Sequence, residues 1–403
     1  MHERDVVIVS ACRTPFGKYG GSLKDFDPVK LGAITMKEVL GRVDYKDEVD
    51  EIYWGVGDTA SFKDVYTPVI ARQTLLEAGL APETPSCSLD KACVSAMSAV
   101  QLGQRAIASN EAEIVIAGGV TTFSQMPLVV RGLRFKGNRL GPVPMEDPLF
   151  EIGYKDYNPV AVDAGEVALE HGISREEQDE WALRSHELYG KCYQQGKMNE
   201  EMINMTIPQK KKEPLEFKKD EQYRENMSME KLSKLPTIYG SPTCTAGNSP
   251  GLNDGATAML LMTRKKAEEL SLEVLGTLVS TVSIAKKPRL LAETPAKAIE
   301  TALKKSSLVL EDMNLIEINE AFAAVTLVSS KMLADGDTNK TTSIRERTNV
   351  NGGAIAIGHP NTASGARIIM TMLYELRRRG GGYGIAAICG GLAQGDAAII
   401  KVE

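Results

Sequence analysis

The stretch from Cys93 to Gly119 and the stretch from His359 to Gly391 follow one plan. Each opens in a turn of small residues, continues as a helix and closes in an apolar strand that ends on paired glycines, Gly118-Gly119 and Gly390-Gly391. An ordered repeat of this kind implies two similar halves of strand and helix, with an insertion between them. The length points the same way, because 403 residues exceed what a single hydrophobic core holds.

The strand signals fit that plan. The run Val6-Val-Ile-Val9, within Asp5 to Ser10, reads as a parallel strand covered on both faces, since such strands are apolar without alternation. Similar runs occur at Glu113 to Ala117, Leu315 to Ile318 and Gly384 to Ile388, with helical stretches between them, so the expected class is layered α/β. The expected division is a first half over 1–120, completed by about 251–270, an inserted region over 121–250, and a second half over 271–403. Within the insertion, Arg131 to Pro148 is rich in Gly, Pro and basic residues and reads as a long loop. Ser174 and Glu177 match a capping box, with a helix following through Trp181, Ser185 and His186.

Composition excludes several classes. A net charge of −6 disfavours nucleic acid as the main partner. Six scattered cysteines lack metal-ligand spacing and the density of a secreted disulfide scaffold, so free thiols and no metal are expected. No apolar run approaches the roughly 18 residues a membrane span needs, and the start of the chain is charged where a signal peptide turns hydrophobic. A cytoplasmic protein without a membrane span is expected.

Four histidines compete for general-base work. His2 is terminal, and His171 and His186 lie in polar helical surroundings that read as solvated faces. His359 follows the glycine-rich stretch Asn351 to Gly358 and precedes Pro360, a turn that suits either a base or a structural histidine. Cys93 precedes a small-residue helix whose N-terminus favours a thiolate, although a cysteine among Ala, Val and Met also reads as an inert hydrophobe. Cys389 ends a strand before Gly390-Gly391, which could expose thiol and amides at a sheet end. Asn319 and Glu320 follow a buried run at the carboxyl end of a strand, where α/β proteins build sites. Asn319 could orient a water or cap a helix. Glu320 could support the imidazole or complement a helix dipole.

Taken together, these motifs resemble the thiolase superfamily, which includes acetyl-CoA acetyltransferases and 3-ketoacyl-CoA thiolases. The similarity runs from Ser10 to Gly17 through Ala246 to Asn248 and Gly251 to Ala256, with Asn319 to Phe322, Gly358 to Pro360 and Cys389 to Gly391 in family order alongside Cys93. The resemblance implies two α/β/α/β/α halves forming a five-layered core, with a loop domain inserted from the first half. It implies that His359 takes the Cys93 proton, that Cys93 carries the acyl group, and that Cys389 moves the α-proton of acetyl-CoA. It assigns one oxyanion pocket to His359 with a water held by Asn319, and another to the Cys93 and Gly391 amides. CoA and acyl-CoA are substrates, with no resident cofactor. Ala246, Gly247 and Ser249 are expected along pantetheine. Lys210, Lys211 and Arg224 are expected near the CoA phosphates, where a solvated lysine run is the competing reading. Homodimers or homotetramers are expected, with Arg131 to Pro148 similar to a tetramerisation loop; a partner subunit also fits.

The chain departs from the family pattern in ways that bear on the acyl group. Asp90 and Ala96 stand where Asn and Gly are common, and Pro250 replaces a frequent serine. Val160 to Glu166 lacks a His-Met-Gly pattern, Lys286 to Pro295 lacks Met-Gly-x-Gly-Pro, and Asn361-Thr362 replaces a glycine-containing turn. Small residues over the acyl site imply a wider pocket, so the substrate is acetoacetyl-CoA or a longer, branched or aromatic 3-oxoacyl-CoA. Two other readings share these residues: a ketoacyl-synthase-like condensing enzyme, against which the Cys389 motif argues, and a catalytically silent acyl-CoA-binding subunit.

Overall fold

The computed structural model describes residues 3–57, 68–150, 153–154, 156–210 and 212–403. The main strands of its large sheet are β1 (Val6–Arg13), β2 (Glu51–Val56), β3 (Ser86–Leu89), β4 (Ile114–Thr121), β5 (Asn253–Thr263), β6 (Gly276–Ala285), β7 (Met313–Ile318), β8 (Gly382–Gly390) and β9 (Gln394–Val402). The helices that matter for the site are α1 (Pro28–Gly41), α2 (Ser95–Ala108), α3 (Val160–Glu170), α4 (Arg175–Gln194), α5 (Thr294–Ser306), α6 (Ala323–Leu333) and α7 (Ser364–Arg378).

The strands run in the order β7-β8-β9-β6-β1-β5-β4-β2-β3, with the short strand Gly17–Lys18 added on β5, in one ten-stranded sheet. The repeat is visible in that order. In the first half β2 lies parallel to β4, β4 antiparallel to β5, and β5 antiparallel to β1. In the second half β7 lies parallel to β8, β8 antiparallel to β9, and β9 antiparallel to β6. The two halves join through a short antiparallel contact, Val7 with Thr277 and Ile8 with Gly276. The expectation of parallel partners for β1 is thus corrected, since both of its neighbours are antiparallel. Its apolar run reflects two-sided burial, which every residue of Val6–Arg13 shows, and burial carries no information about strand direction.

Three apolar clusters separate the layers. The first half's outer cluster packs α1 on β1, β2, β4 and β5; the central one packs α2 and α7 between the two halves of the sheet; the third packs α5 and α6 with α3 and α4 on the second half. Fully burying a Val, Ile, Leu or Met in such layers contributes roughly 1.5–3 kcal/mol each. The α3–α4 segment enters between β4 and β5, and Ser174 and Glu177 form the reciprocal capping box at the start of α4. The insertion is tied back to β1 by Arg13, whose buried guanidinium meets Glu201 at 2.6 Å and Asp220 at 2.8 Å.

The central layer is unusually close. A Cβ placed on Gly365 in α7 would fall 2.5 Å from Met97 N in α2, so this glycine sets the spacing of the two helices. The turn ahead of α7 docks on the first half through Thr362. Its hydroxyl donates to Val120 O at 2.6 Å, and its amide donates to Thr121 Oγ1 at 3.0 Å. Gly55 and Gly119 leave room for the Thr362 carbonyl. Thr362, a departure in sequence, is therefore the residue that docks the turn. Replacing Gly365 with Ala is expected to lower unfolding free energy by about 1–3 kcal/mol through overpacking, read in urea denaturation. A midpoint unchanged from the parent protein would mean that the helices can separate without cost.

Candidate active site

Cys93 sits in a single turn, Ala92–Val94, between β3 and α2. Ala92 just before it adopts φ +52°, a left-handed conformation that costs a non-glycine residue of order 1–3 kcal/mol. That turn is fastened on both sides. The Ala92 amide donates to Asp90 Oδ1 at 2.8 Å, and Lys91 Nζ reaches Ser98 Oγ at 2.8 Å, Ser283 Oγ at 2.8 Å and Asp396 Oδ1 at 2.9 Å. Lys91 thereby ties the turn of one half to β6 and β9 of the other.

His359 arrives from the second half, and its Nε2 lies 3.2 Å from Cys93 Sγ. Its amide donates to Asn253 Oδ1 at 2.9 Å, and its Nδ1 lies 2.6 Å from Ser364 Oγ. The Ser364 hydroxyl donates to Pro360 O at 3.2 Å. Having used its proton there, Ser364 accepts from Nδ1–H, which leaves the Nε2 lone pair facing the thiol. Ser364 was not foreseen; the only hint in the sequence is a hydroxyl residue at the start of the helix that follows His359.

Cys389, 2% exposed at the end of β8, lines the same cavity as Cys93 and His359. The glycines after it allow close approach: a Cβ on Gly390 would fall 2.8 Å from Val94 and 3.0 Å from Lys91 O, while one on Gly391 would crowd Ala92 and the Tyr154 hydroxyl. The Gly391 backbone thus lies against the Cys93 turn. Asn319, fully buried just beyond β7, does not cap a helix, because the residue at the cap of α6 is Phe322.

Burial dominates the electrostatics. It pushes the Cys93 thiol well above its ordinary range, with the neighbouring Cys389 adding to the shift. It pushes Cys389 up to about 12. It lowers His359 to about 3, with the Arg367 charge acting in the same direction. The thiolate favoured by a helix N-terminus is therefore not the resting form: desolvation outweighs the helix end. A thiol below its raised pKa and an imidazole above its lowered one are both uncharged, so the pair rests neutral at pH 7.

Several expected residues stand elsewhere. Glu320 does not touch the imidazole; its carboxylate accepts from Trp181 Nε1 at 2.9 Å, Ser185 Oγ at 2.8 Å, Asn349 Nδ2 at 3.0 Å and Ile355 N at 3.1 Å. It braces the stretch that leads to His359. Of the CoA candidates, Ala246, Ser249 and Arg224 line the cavity; Gly247 does not, and packs instead against Leu232 and Leu235. Lys210 is exposed and does not line it, and Lys211 lies outside the described residues. His186 is buried rather than solvated, accepts from Arg224 N at 3.3 Å and is held down at about 4 by burial. His171 meets Glu293 at 3.1 Å. All six cysteines are free, and among the described residues no cluster of three or more His, Cys, Asp or Glu could hold a metal. No described helix is long and apolar enough to cross a membrane.

Two family models match the chain: the thiolase N-terminal domain over residues 6–265 and the thiolase C-terminal domain over residues 272–402. The chain belongs to the thiolase family. An acetyl-CoA acetyltransferase of Cupriavidus necator is 40% identical, with 98% of this chain and 99% of the relative covered. A probable acetyl-CoA acyltransferase of Staphylococcus aureus is 37% identical, with 98% of both covered. The crystal structure of human mitochondrial 3-ketoacyl-CoA thiolase superposes with a TM-score of 0.92 at 36% identity, with both chains fully covered. Bacillus anthracis acetyl-CoA acetyltransferase gives 0.91 at 35% identity, with 99% of each chain covered. This thiolase is accordingly an acyltransferase, on a mixed α/β fold with a large central sheet.

The neutral Cys93–His359 pair makes a measurable prediction. Alkylation of Cys93 by iodoacetamide, followed by peptide mass spectrometry, is expected to rise about tenfold per pH unit from about pH 6 to 9. A rate that is flat over this range would reveal a preformed thiolate–imidazolium pair.

Proposed function

We propose that this thiolase cleaves 3-oxoacyl-CoA with CoA, or runs the reverse condensation, through an acyl group on Cys93. The observation that carries the reading is the 3.2 Å contact between His359 Nε2 and Cys93 Sγ in a cavity also lined by Cys389. His359 takes the thiol proton as sulfur attacks the 3-oxo carbon, so no isolated charge has to exist before the step. Collapse breaks the C2–C3 bond, leaves the acyl group on Cys93 and expels an acetyl-CoA enolate, which Cys389 protonates at carbon. The thiol of a second CoA then gives its proton to the Cys389 thiolate and attacks the acyl-Cys93 thioester; the bond from the acyl carbon to Cys93 sulfur breaks, Cys93 takes back the proton held by His359, and the shortened acyl-CoA leaves.

Stabilisation of the two oxyanions would fall to the Cys93 and Gly391 amides on one side and to His359 with an Asn319-bound water on the other. The close approach of Gly391 to Ala92 supports the first pocket, and the buried Nδ2 of Asn319, which has no hydrogen-bond partner among the described residues, supports the second. Arg224 is the one cationic side chain lining the cavity among the described residues, which favours it for CoA phosphate binding. CoA and acyl-CoA act as substrates, without a resident cofactor. Pairing of two copies is supported by β3, which ends the sheet with Cys87 and Ser88 exposed.

The acyl chain is proposed to be larger than acetyl. The cavity holds about 400 Å³ and is walled by Val160, Ala161, Leu291, Ile238 and Phe322, with Val160 and Ala161 contributing only short side chains.

Two sets of variants test this reading. Cys93→Ala is expected to abolish both cleavage and the acyl adduct seen by intact mass. Cys389→Ala should still accept an acetyl group from acetyl-CoA while C–C cleavage falls about 10²–10⁴-fold. An acetylated Cys93→Ala protein would place the nucleophile elsewhere. Ala161→Leu should cut kcat/KM for a branched or aromatic 3-oxoacyl-CoA about 10-fold or more relative to acetoacetyl-CoA. Equal losses on both substrates would remove Ala161 from the acyl wall.

A further inference from the structure

Behind the site lies a buried polar group of three side chains that the reaction as described does not use. Glu317 and Asn319 are two residues apart at the end of β7, so both project to the same face of the sheet, toward the central helices. Arg367 comes from α7, one turn after Ser364. All three are at most 3% exposed. Arg367 Nη2 donates to Asn319 Oδ1 at 3.4 Å, and Arg367 Nη1 lies 3.5 Å from Glu317 Oε2.

Two features make this more than an ion pair within the core. A guanidinium only donates, so the end of the Asn319 amide that faces Arg367 must be its oxygen, and the NH2 is turned away from it. That NH2 is buried with no hydrogen-bond partner among the described residues, and the same holds for Arg367 Nε and for Arg367 Nη1 and Glu317 Oε2, whose ion pair is too long and poorly aligned to be a hydrogen bond. Four buried polar atoms without a hydrogen bond this close together are costly unless ordered water meets them. A buried charge pair with such loose geometry also stabilises poorly, and apolar residues of similar volume would serve the core as well or better.

We infer that Arg367, backed by Glu317, is a positioning residue that fixes the Asn319 amide with its NH2 toward the water serving the enolate oxygen. This rests on the thiolase reading above. The first turn of α7 then orients both members of that pocket: Ser364 sets the tautomer of His359, and Arg367 sets the amide of Asn319. The influence of the Arg367 charge on His359 is consistent with this placement.

A purely structural ion pair and a positioning residue differ in which half-reaction suffers. The Asn319 pocket serves the enolate, whereas acylation of Cys93 by acetyl-CoA uses the Cys93 and Gly391 amides. The experiment compares Arg367→Met, Arg367→Lys and Glu317→Gln with the parent protein in two assays: Cys93 acetylation by acetyl-CoA, and C–C cleavage of a 3-oxoacyl-CoA. Arg367→Met is expected to slow cleavage about 10²–10³-fold, the usual effect of a lost oxyanion donor, while acetylation stays within a few-fold. Arg367→Lys should recover part of the cleavage, and Glu317→Gln should show a smaller loss with the same selectivity. If Arg367→Met does not fold, the other two variants carry the test. Equal losses in both assays, or none in either, would overturn the inference. Failure of the parent protein to acetylate Cys93 would instead overturn the thiolase reading, and the inference with it.

Discussion

The contact between α2 and α7 is the constraint on which the rest of this molecule depends. Each helix belongs to a different half of the repeat, and each begins just after a candidate catalytic residue. Because Gly365 has no side chain to hold the helices apart, their starts converge, and the turn of Cys93 meets the turn of His359. Thr362 secures the same junction from the sheet side by bonding to Val120 and Thr121. A site assembled from two halves needs such a fixed spacing, since its central contact is 3.2 Å long.

Once assembled, the site is governed by exclusion of water and by groups whose hydrogen-bonding roles are forced. Burial holds the thiol protonated and the imidazole neutral, so the pair is uncharged at rest. With its hydroxyl donating to Pro360, Ser364 accepts from Nδ1, and the Arg367 guanidinium can only donate to Asn319. In both places the hydrogen-bonding role of one group sets the orientation of the next.

The inserted segment contributes more than loops. Trp181 and Ser185 of α4 hold the Glu320 carboxylate, which also receives the Ile355 amide just before His359. The α3 end of the same segment supplies Val160 and Ala161 to the cavity wall. The insertion therefore braces the stretch before His359 and forms part of the cavity wall at the same time.

The residue types and order of Cys93, Asn319, His359 and Cys389, the repeat and the capping box at Ser174 were legible in the chain itself, because they rest on local rules: glycine-rich turns, apolar runs and cap chemistry. Strand direction for β1 was not, since burial on two faces looks alike in parallel and antiparallel sheets. Nor were the partners of Glu320, the burial of His186 or the distance of Lys210 from the cavity. Each depends on which distant elements pack together: Glu320 is bonded by residues from α4 and from the stretch before His359, far away in sequence. The protonation of Cys93 shows the same division. Its place beside a helix start is local and favours a thiolate, whereas the desolvation that reverses the preference exists only after both halves have closed around it.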